Sequence, residues 1–225
     1  MRLYTVTDLY DLDHTLAKPL LESVEYPWEA LKDIKSFLLA LGETLPASEY
    51  VEVSEHVWVH RSAKVAPTAF LGAPVIIGPE AEIRHCAFIR GSALVGAGAV
   101  VGNSTELKNV ILFDGVQVPH YNYVGDSILG YRAHMGAGSI TSNIKADQTN
   151  IRIHCGGEDC ETGLRKMGAM LGDWVDVGCN SVLNPGVVVG RGTHIYPLSM
   201  VRGVVPAGSI YKTAGEIVEM RSESE

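Results

Sequence analysis

A lysine, an imidazole, a phenol and a carboxamide stand close together between Val95 and Asn143. They are Lys108, His120, Tyr123 and Asn143 in VGAGAVVGNSTELKNVILFDGVQVPHYNYVGDSILGYRAHMGAGSITSN. Small residues and aliphatics surround them, so a site built from them is held by rigid turns and not by a mobile lid. An imidazole titrates near neutral pH and can take the proton of an ammonium group before the amine attacks a carbonyl. Equally, His120 suits a loop histidine bonded to a carbonyl. A phosphate monoester needs charge-assisted donors, and an arginine with one or two lysines and a phenol supplies them. Arg90, Lys108 and Tyr123 offer that set, with Arg165 or Lys166 further along. Taken singly, Arg90 and Lys108 also suit a solvated surface, and Asn143 a left-handed turn.

The elements that must position these groups follow a period of six. Val53, Val59, Val65, Leu71, Ile77, Ile83, Ile89, Val95, Val101 and Leu107 form an aliphatic series. Two residues before them stand Ala63, Ala69, Val75, Ala81, Ala87, Ala93, Ala99 and Thr105, all small or β-branched. Such a pattern predicts an all-β solenoid, a prism of short parallel strands with one inward aliphatic per face and a small residue near each corner. Glycine after the aliphatic, at Gly72, Gly78, Gly96 and Gly102, is expected to let the backbone turn tightly. The series breaks around Phe113 to Pro119, restarts one residue short at Val124, Leu129 and Met135, and returns from Leu171 to Val201. Residues 145–166 (KADQTNIRIHCGGEDCETGLRK) lack the period and predict an excursion, with a hairpin turning at Gly156-Gly157.

Residues 1–50 differ in kind. Pro27 suits a first helical position, and Trp28, Leu31, Ile34, Leu38 and Leu41 predict one amphipathic helix stopped by Gly42 and Pro46. Leu9, Leu12, Leu16 and Leu20 suggest a shorter helix broken at Pro19. The expected organisation is a helical N-terminal cap over 1–50, a solenoid over 51–210 with its excursion at 145–166, and an acidic C-terminal tail over 211–225. The end of that tail, from Glu216, reads as a short helix or a frayed terminus.

Composition narrows the functions. Among 225 residues there are 24 glycines and only four phenylalanines, which fits many tight turns around a thin aliphatic core. A formal charge of −8 argues against a sequence-independent nucleic-acid binder, which relies on Lys and Arg against phosphates. No apolar run approaches the roughly 20 residues of a membrane span, and MRLYTVTDLYD lacks the order of a signal peptide, so a cytoplasmic protein without membrane partners is expected. Cys86, Cys155, Cys160 and Cys179 are too scattered for a disulfide framework. His154-Cys155 with Cys160 lacks a second ligand pair, so no metal is expected.

The hexads, together with the spacing from Arg90 through Asn143, resemble the hexapeptide-repeat acyltransferases. Within these, residues 53 to 208 are similar to the acetyltransferase half of bifunctional enzymes that acetylate glucosamine 1-phosphate and then uridylylate it. They are also similar to archaeal sugar-1-phosphate nucleotidylyltransferases with an acetyltransferase domain. The resemblance implies a left-handed parallel β-helix, against the usual right hand of parallel crossovers, and a homotrimer. It implies acetyl-CoA as co-substrate and an amino sugar phosphate as acceptor, that is, N-acetylation of a hexosamine 1-phosphate. His120 matches the general base and Glu106 the glutamate that polarises it. Arg90, Lys108 and Tyr123 match residues that hold the sugar phosphate, Arg165 or Lys166 would add a cation, and Asn143 matches an asparagine near the reacting amine. Ala137, Cys179 and Pro197 match positions that contact acetyl-CoA through backbone. His134 stands where the bacterial enzymes have a sugar-contacting asparagine, Ile144 where they have a tyrosine, and Asn122 where they have a threonine. With these departures around the sugar, galactosamine 1-phosphate or another amino sugar phosphate remains an acceptor beside glucosamine 1-phosphate. No Gly-x-Gly-Thr-Arg nucleotide loop is present, so the uridylyltransferase domain is expected to be lacking.

Two other classes stand beside this reading. A non-catalytic binder of sugar phosphates or sugar nucleotides would keep the groove without the reaction. A metalloenzyme like the left-handed β-helix carbonic anhydrases would use histidines such as His85, His120, His134 and His154. The thirteen residues between His120 and His134 do not fit the close ligand spacing of those enzymes.

Overall fold

The structure, a computed structural model, describes residues 2–213 and 216–220. It is a left-handed β-helix of hexapeptide-repeat type with a short α-helical segment at its N-terminus. Parallel strands stack coil upon coil: Lys64–Val65 on Glu82–Ile83, then Val100–Asn103, Gln117–His120, His134–Met135 and Asp176–Val177 along one face. A second face stacks Phe88–Ile89, the first half of Glu106–Leu112, the first half of Tyr123–Leu129, Ile140–Thr141 and Val182–Leu183. The third stacks Val75–Ile77, Ala93–Val95, the second halves of the same two long strands, Ala169–Leu171 and Val187–Val189.

The aliphatic series points inward as its period requires, from Ile77 to Leu107 and again from Leu171 to Val201, each position nearly or wholly buried. Near the open end burial is incomplete: Val65 is exposed and Leu71 half-buried, and Val53 departs furthest. It is exposed in Tyr50–Ser54, which pairs antiparallel with Val57–His60 at the open end of the stack. The series does not break near Phe113. Leu112 takes the inward place above Val95 and below Leu129, so the steps Leu107 to Leu112 and Val124 to Leu129 are five residues long in place of six. Two successive coils are therefore one residue short at the same corner, and the backbone bends round that corner as one continuous strand.

The glycines after the aliphatics serve a different purpose from the expected one. Gly72, Gly78, Gly96 and Gly102 do not have positive φ; a Cβ on any of them would strike backbone of the next coil, at 1.5 Å from the Pro119 carbonyl oxygen for Gly102. The left-handed turns lie elsewhere, at Glu80, Gly98, Gly115, Arg132 and Trp174 along one corner and at Ser104, Tyr121, Gly138, Asn180 and Leu198 along another.

The N-terminal segment covers a side of the prism. On the third face the outward positions Ile76, Leu94, Ile111, Ile128, Met170 and Val188 are at most 1% exposed, because helix Ile34–Thr44 and the turns before it lie over that face. Burying each such side chain contributes about 1.5–3 kcal/mol. Polar contacts fix the overlay. The Asp11 N–H donates to Asp173 Oδ2 at 2.7 Å, and the Tyr10 hydroxyl donates to the Ile128 carbonyl at 3.3 Å. The Arg191 guanidinium completes the lock at 3.2 Å from Asp173.

The single helix expected from Pro27 is two elements, a 3-10 turn Pro27–Lys32 and the α-helix Ile34–Thr44. The Leu31 carbonyl, which a continuous helix would bond to the Lys35 N–H, accepts from the Asn109 side chain at 3.1 Å instead. Gly42 does not stop the helix; it makes room for the Trp58 ring, 2.3 Å from where a Cβ would lie. Pro19 sits in the first turn of Lys18–Leu21 and does not break a helix. At the other end, Glu216–Glu219 is a strand antiparallel to Ser209–Thr213, where a helix or frayed end was expected; residues 221–225 of the tail lie outside the described residues. The hairpin of the excursion is present, Arg152–Cys155 against Glu158–Glu161, with positive φ at Gly156 and Gly157. Among the described residues no helix is long and apolar enough to cross a membrane.

These glycines separate two kinds of cost. Gly102→Ala should leave little folded protein, since the clash is with backbone. Gly98→Ala, with open space around the Cβ and φ of +63°, should cost only about 1–2 kcal/mol, read from urea denaturation.

Candidate functional site

Most of the sequence-predicted groups occupy two neighbouring corners and the face between them, with Arg165 and Lys166 on the excursion and His134 on the first face. At the first corner, the carbonyls of His120, Ala137 and Cys179 accept from the N–H groups of Gly138, Asn180 and Leu198 at 3.0, 2.8 and 2.9 Å. His120, Ala137, Cys179 and Pro197 thus hold equivalent places in four consecutive coils and form one column. The imidazole of His120 and the Cys179 thiol are exposed. Among the described residues the N–H groups of Ala137 and Cys179 meet no acceptor, so this column presents free amide donors beside a histidine.

Asn122 holds that corner from inside. It is 2% exposed; its Oδ1 accepts the His120 N–H at 3.1 Å, and its Nδ2 donates to the Gly136 and Ser139 carbonyls. The side chain faces the core, so this departure from the family pattern supports the turn and does not face a ligand.

The second corner is the short one. Its turn residues, Asn109 at φ 55° and Asp126 at φ 46°, are of the types that tolerate left-handed backbone. Asp126 is 4% exposed and is the hub. Its Oδ1 accepts from Lys108 Nζ at 2.8 Å and Asn109 Nδ2 at 3.0 Å, and its Oδ2 accepts from Asn143 Nδ2 at 2.6 Å. Asn143 Nδ2 also donates to the Tyr123 hydroxyl at 3.2 Å. Gly125 is required here, since a Cβ would come within 2.6 Å of that hydroxyl and 2.8 Å of the amide. Burial, then the Asp126 and Glu106 carboxylates, raise the Tyr123 phenol above its usual range. It therefore stays protonated at neutral pH and keeps its O–H free to donate.

Asp126 is absent from the sequence-predicted set. A signal existed: it is the one charged residue in Tyr123–Leu129, where every position after the first is buried. Buried carboxylates persist only when paired and hydrogen-bonded.

Beside this hub lies a cavity of about 510 Å³. Asn109 and Asp126 line it from the solenoid, Ile144, Arg165 and Lys166 from the excursion, and Leu31 and Lys32 from the N-terminal turn. The excursion leaves and returns here, closed at its neck by the Met167 N–H donating to the Asn143 carbonyl at 3.0 Å. Arg165 donates to Gln148 Oε1 at 3.1 Å. The N-terminal segment, expected as a cap alone, is thus one wall of the cavity.

Two sequence-predicted residues are placed differently. Glu106 does not meet His120: its Oε1 lies 2.8 Å from Arg90 Nη1, both on the face between the corners, and among the described residues no carboxylate pairs with the His120 ring. Neighbouring strands put Arg90 within reach across one coil, whereas His120 stands at the corner. His134 lies on the first face, its Nδ1 2.8 Å from Asp176 Oδ1, away from the Asp126 hub. The remaining histidines named above are dispersed as well, His85 on Thr68 and His154 on Asp159. Among the described residues no three His, Cys, Asp or Glu side chains gather at metal-binding distance.

The hub makes a stability prediction. Asp126→Ala takes the acceptor from Lys108 and one of two acceptors from each of the Asn109 and Asn143 amides, and should cost about 3–5 kcal/mol. Glu106→Ala, at a pair that is partly exposed, should cost under about 1 kcal/mol. Urea midpoints of the two variants against the native chain check the difference.

No family model matches the chain. Over 109 residues it is 34% identical to the bifunctional sugar-1-phosphate nucleotidylyltransferase/acetyltransferase of Sulfurisphaera tokodaii, covering 48% of this chain and 27% of that protein. Over 180 residues it is 33% identical to the bifunctional protein GlmU of Azotobacter vinelandii, covering 79% of this chain and 31% of that protein. The chain therefore spans well under half the length of these curated relatives. Among solved structures, a hexapeptide transferase family protein from Anaplasma phagocytophilum matches with a TM-score of 0.42 and 18% identity, covering 73% of this chain and 79% of that one.

Proposed function

We propose, since the chain is a hexapeptide-repeat left-handed β-helix related to the acetyltransferase domains of GlmU-like proteins, that it transfers an acetyl group from acetyl-CoA to the amine of a hexosamine 1-phosphate. The observation that carries this reading is the pairing of two corners. One presents an exposed histidine in register with the free amides of Ala137 and Cys179. The other presents Lys108 and Asn143 bonded to one buried carboxylate, with Tyr123 held through Asn143.

Acetyl-CoA supplies an acetyl thioester, and the column Ala137, Cys179 and Pro197 is the surface along which it would lie. The open amides suit carbonyl oxygens of an extended ligand, and one of them can donate to the oxyanion that develops on the thioester carbonyl. His120 takes the proton of the acceptor ammonium group, leaving a lone pair on nitrogen for direct attack on the thioester carbonyl. The C–S bond breaks as the amide forms, and the departing thiolate takes the proton that the attacking nitrogen sheds and leaves as CoA thiol. Asn122 fixes its backbone from below. The Tyr123 O–H and Asn143 orient the sugar, while Arg165 and Lys166 receive its phosphate. Glu106 acts by holding Arg90 and not by polarising His120, in keeping with their 2.8 Å contact.

The assembly we propose is a homotrimer. On the face between the corners Phe70, Phe88 and Met200 are exposed, with Tyr121 and Leu198 at its edge, and a neighbouring copy would cover them. Light scattering should return three chain masses; a monomer would remove the trimer.

Thiol release from acetyl-CoA, followed with amino sugars offered with and without a 1-phosphate, tests the reaction. Turnover should require the phosphate, and His120→Ala should lower it by about 10²–10⁴-fold. Full turnover in that variant would sink the base assignment. Phosphate-sugar binding without any thiol release would favour the non-catalytic binder.

A further inference from the structure

The N-terminal turn was expected to do no more than cap the solenoid, yet it reaches the cavity at the short corner. Lys32 is exposed there, at the end of Pro27–Lys32, while Trp28, Ala30 and Leu31 of the same turn are buried. Those buried residues fix which way the turn presents Lys32. Its start is fixed as well, because Glu29 Oε2 accepts the N–H groups of Glu25 and Tyr26 at 3.1 and 2.9 Å. Its end is tied to the cavity floor by one side chain: Asn109 Nδ2 donates both to the Leu31 carbonyl, at 3.1 Å, and to Asp126 Oδ1, at 3.0 Å.

The charges at this cavity do not balance. Asp126 is the one acidic lining residue, and Lys108 already pairs with it at 2.8 Å. Lys32, Arg165 and Lys166 also line the space, and among the described residues none of the three forms an ion pair. Three uncompensated cations from two separate segments converge on one cavity in a chain whose net charge is −8. Like charges held together without partners favour an anionic occupant. The volume, about 510 Å³, is that of a small-molecule site. A terminal phosphate, with close to two negative charges and three acceptor oxygens, matches three cationic donors that line one cavity from two segments.

We infer that Lys32 is a ligand-binding residue, and that the N-terminal turn completes with Arg165 and Lys166 a three-cation subsite for the terminal phosphate of a phosphate monoester. The choice of a sugar as the rest of that ligand rests on the function proposed above; the phosphate subsite itself does not. The turn is held to the same carboxylate that orders Lys108 and Asn143, so occupation of the subsite and placement of the sugar share one anchor.

Isothermal titration of the full chain with inorganic phosphate, glucosamine 1-phosphate and glucosamine tests this, on the native protein and on Lys32→Ala, Lys32→Arg and Arg165→Ala. Lys32→Ala should bind glucosamine 1-phosphate and phosphate about tenfold more weakly, Lys32→Arg should restore most of the loss, and glucosamine should be unaffected. Thermal melts equal to native are expected, since Lys32 is exposed. Native-like phosphate binding by Lys32→Ala overturns the inference, as does failure of the native chain to bind phosphate. Lys32-dependent phosphate binding without thiol release would remove the acetyl-transfer reading and leave this subsite standing. Phosphate-dependent thiol release with unchanged kinetics in Lys32→Ala would do the reverse.

Discussion

Every coil of the prism must set its inward aliphatic directly over the one below, because backbone hydrogen bonds join neighbouring strands at a spacing of about 4.8 Å. Little else in the molecule is free once that register is set. It forbids a Cβ at Gly102, where the next coil's backbone passes, and it makes any change in coil length appear at a corner. The inward column Val95, Leu112, Leu129, Leu171 and Val189 stays continuous through two shortened coils and a long excursion. The irregularities are pushed outward, and the candidate site is made from them.

Two shortened coils put Asn109 and Asp126 on consecutive levels of one corner, and the following coil opens at the same place into the excursion. The outcome is a buried carboxylate facing a cavity whose other walls come from distant parts of the sequence. Desolvating a carboxylate is costly unless it is paired and hydrogen-bonded, and Asp126 meets that condition through Lys108, Asn109 and Asn143. The same bonds order side chains that would otherwise sweep through solvent. Rigidity at the hub thus serves packing and fixes the side chains of the candidate site together.

The N-terminal segment joins these two themes. It buries the outward aliphatics of the third face and so stabilises the stack sideways, and its 3-10 turn ends at the cavity. The break between Lys32 and Ile34 follows from that contact, since the Leu31 carbonyl is bonded by Asn109 and not by the next turn of helix.

The sequence alone determined the solenoid, most of its inward positions, the excursion with its hairpin, and a helical N-terminus, because each of these is a local or periodic pattern. It also held the apolar triplets Val75–Ile77, Ala93–Val95 and Val187–Val189, whose middle residues signal a face buried on both sides. What covers that face is a long-range matter and only the tertiary structure decided it. The same holds for the candidate site. His120, Ala137, Cys179 and Pro197 lie at coil-equivalent positions, so their column was implicit in the spacing. The Asp126 hub, the pairing of Glu106 with Arg90 and the arrival of Lys32 were not. Each depends on which side chains meet across corners and between segments far apart in the chain, and a period of six carries no record of such meetings.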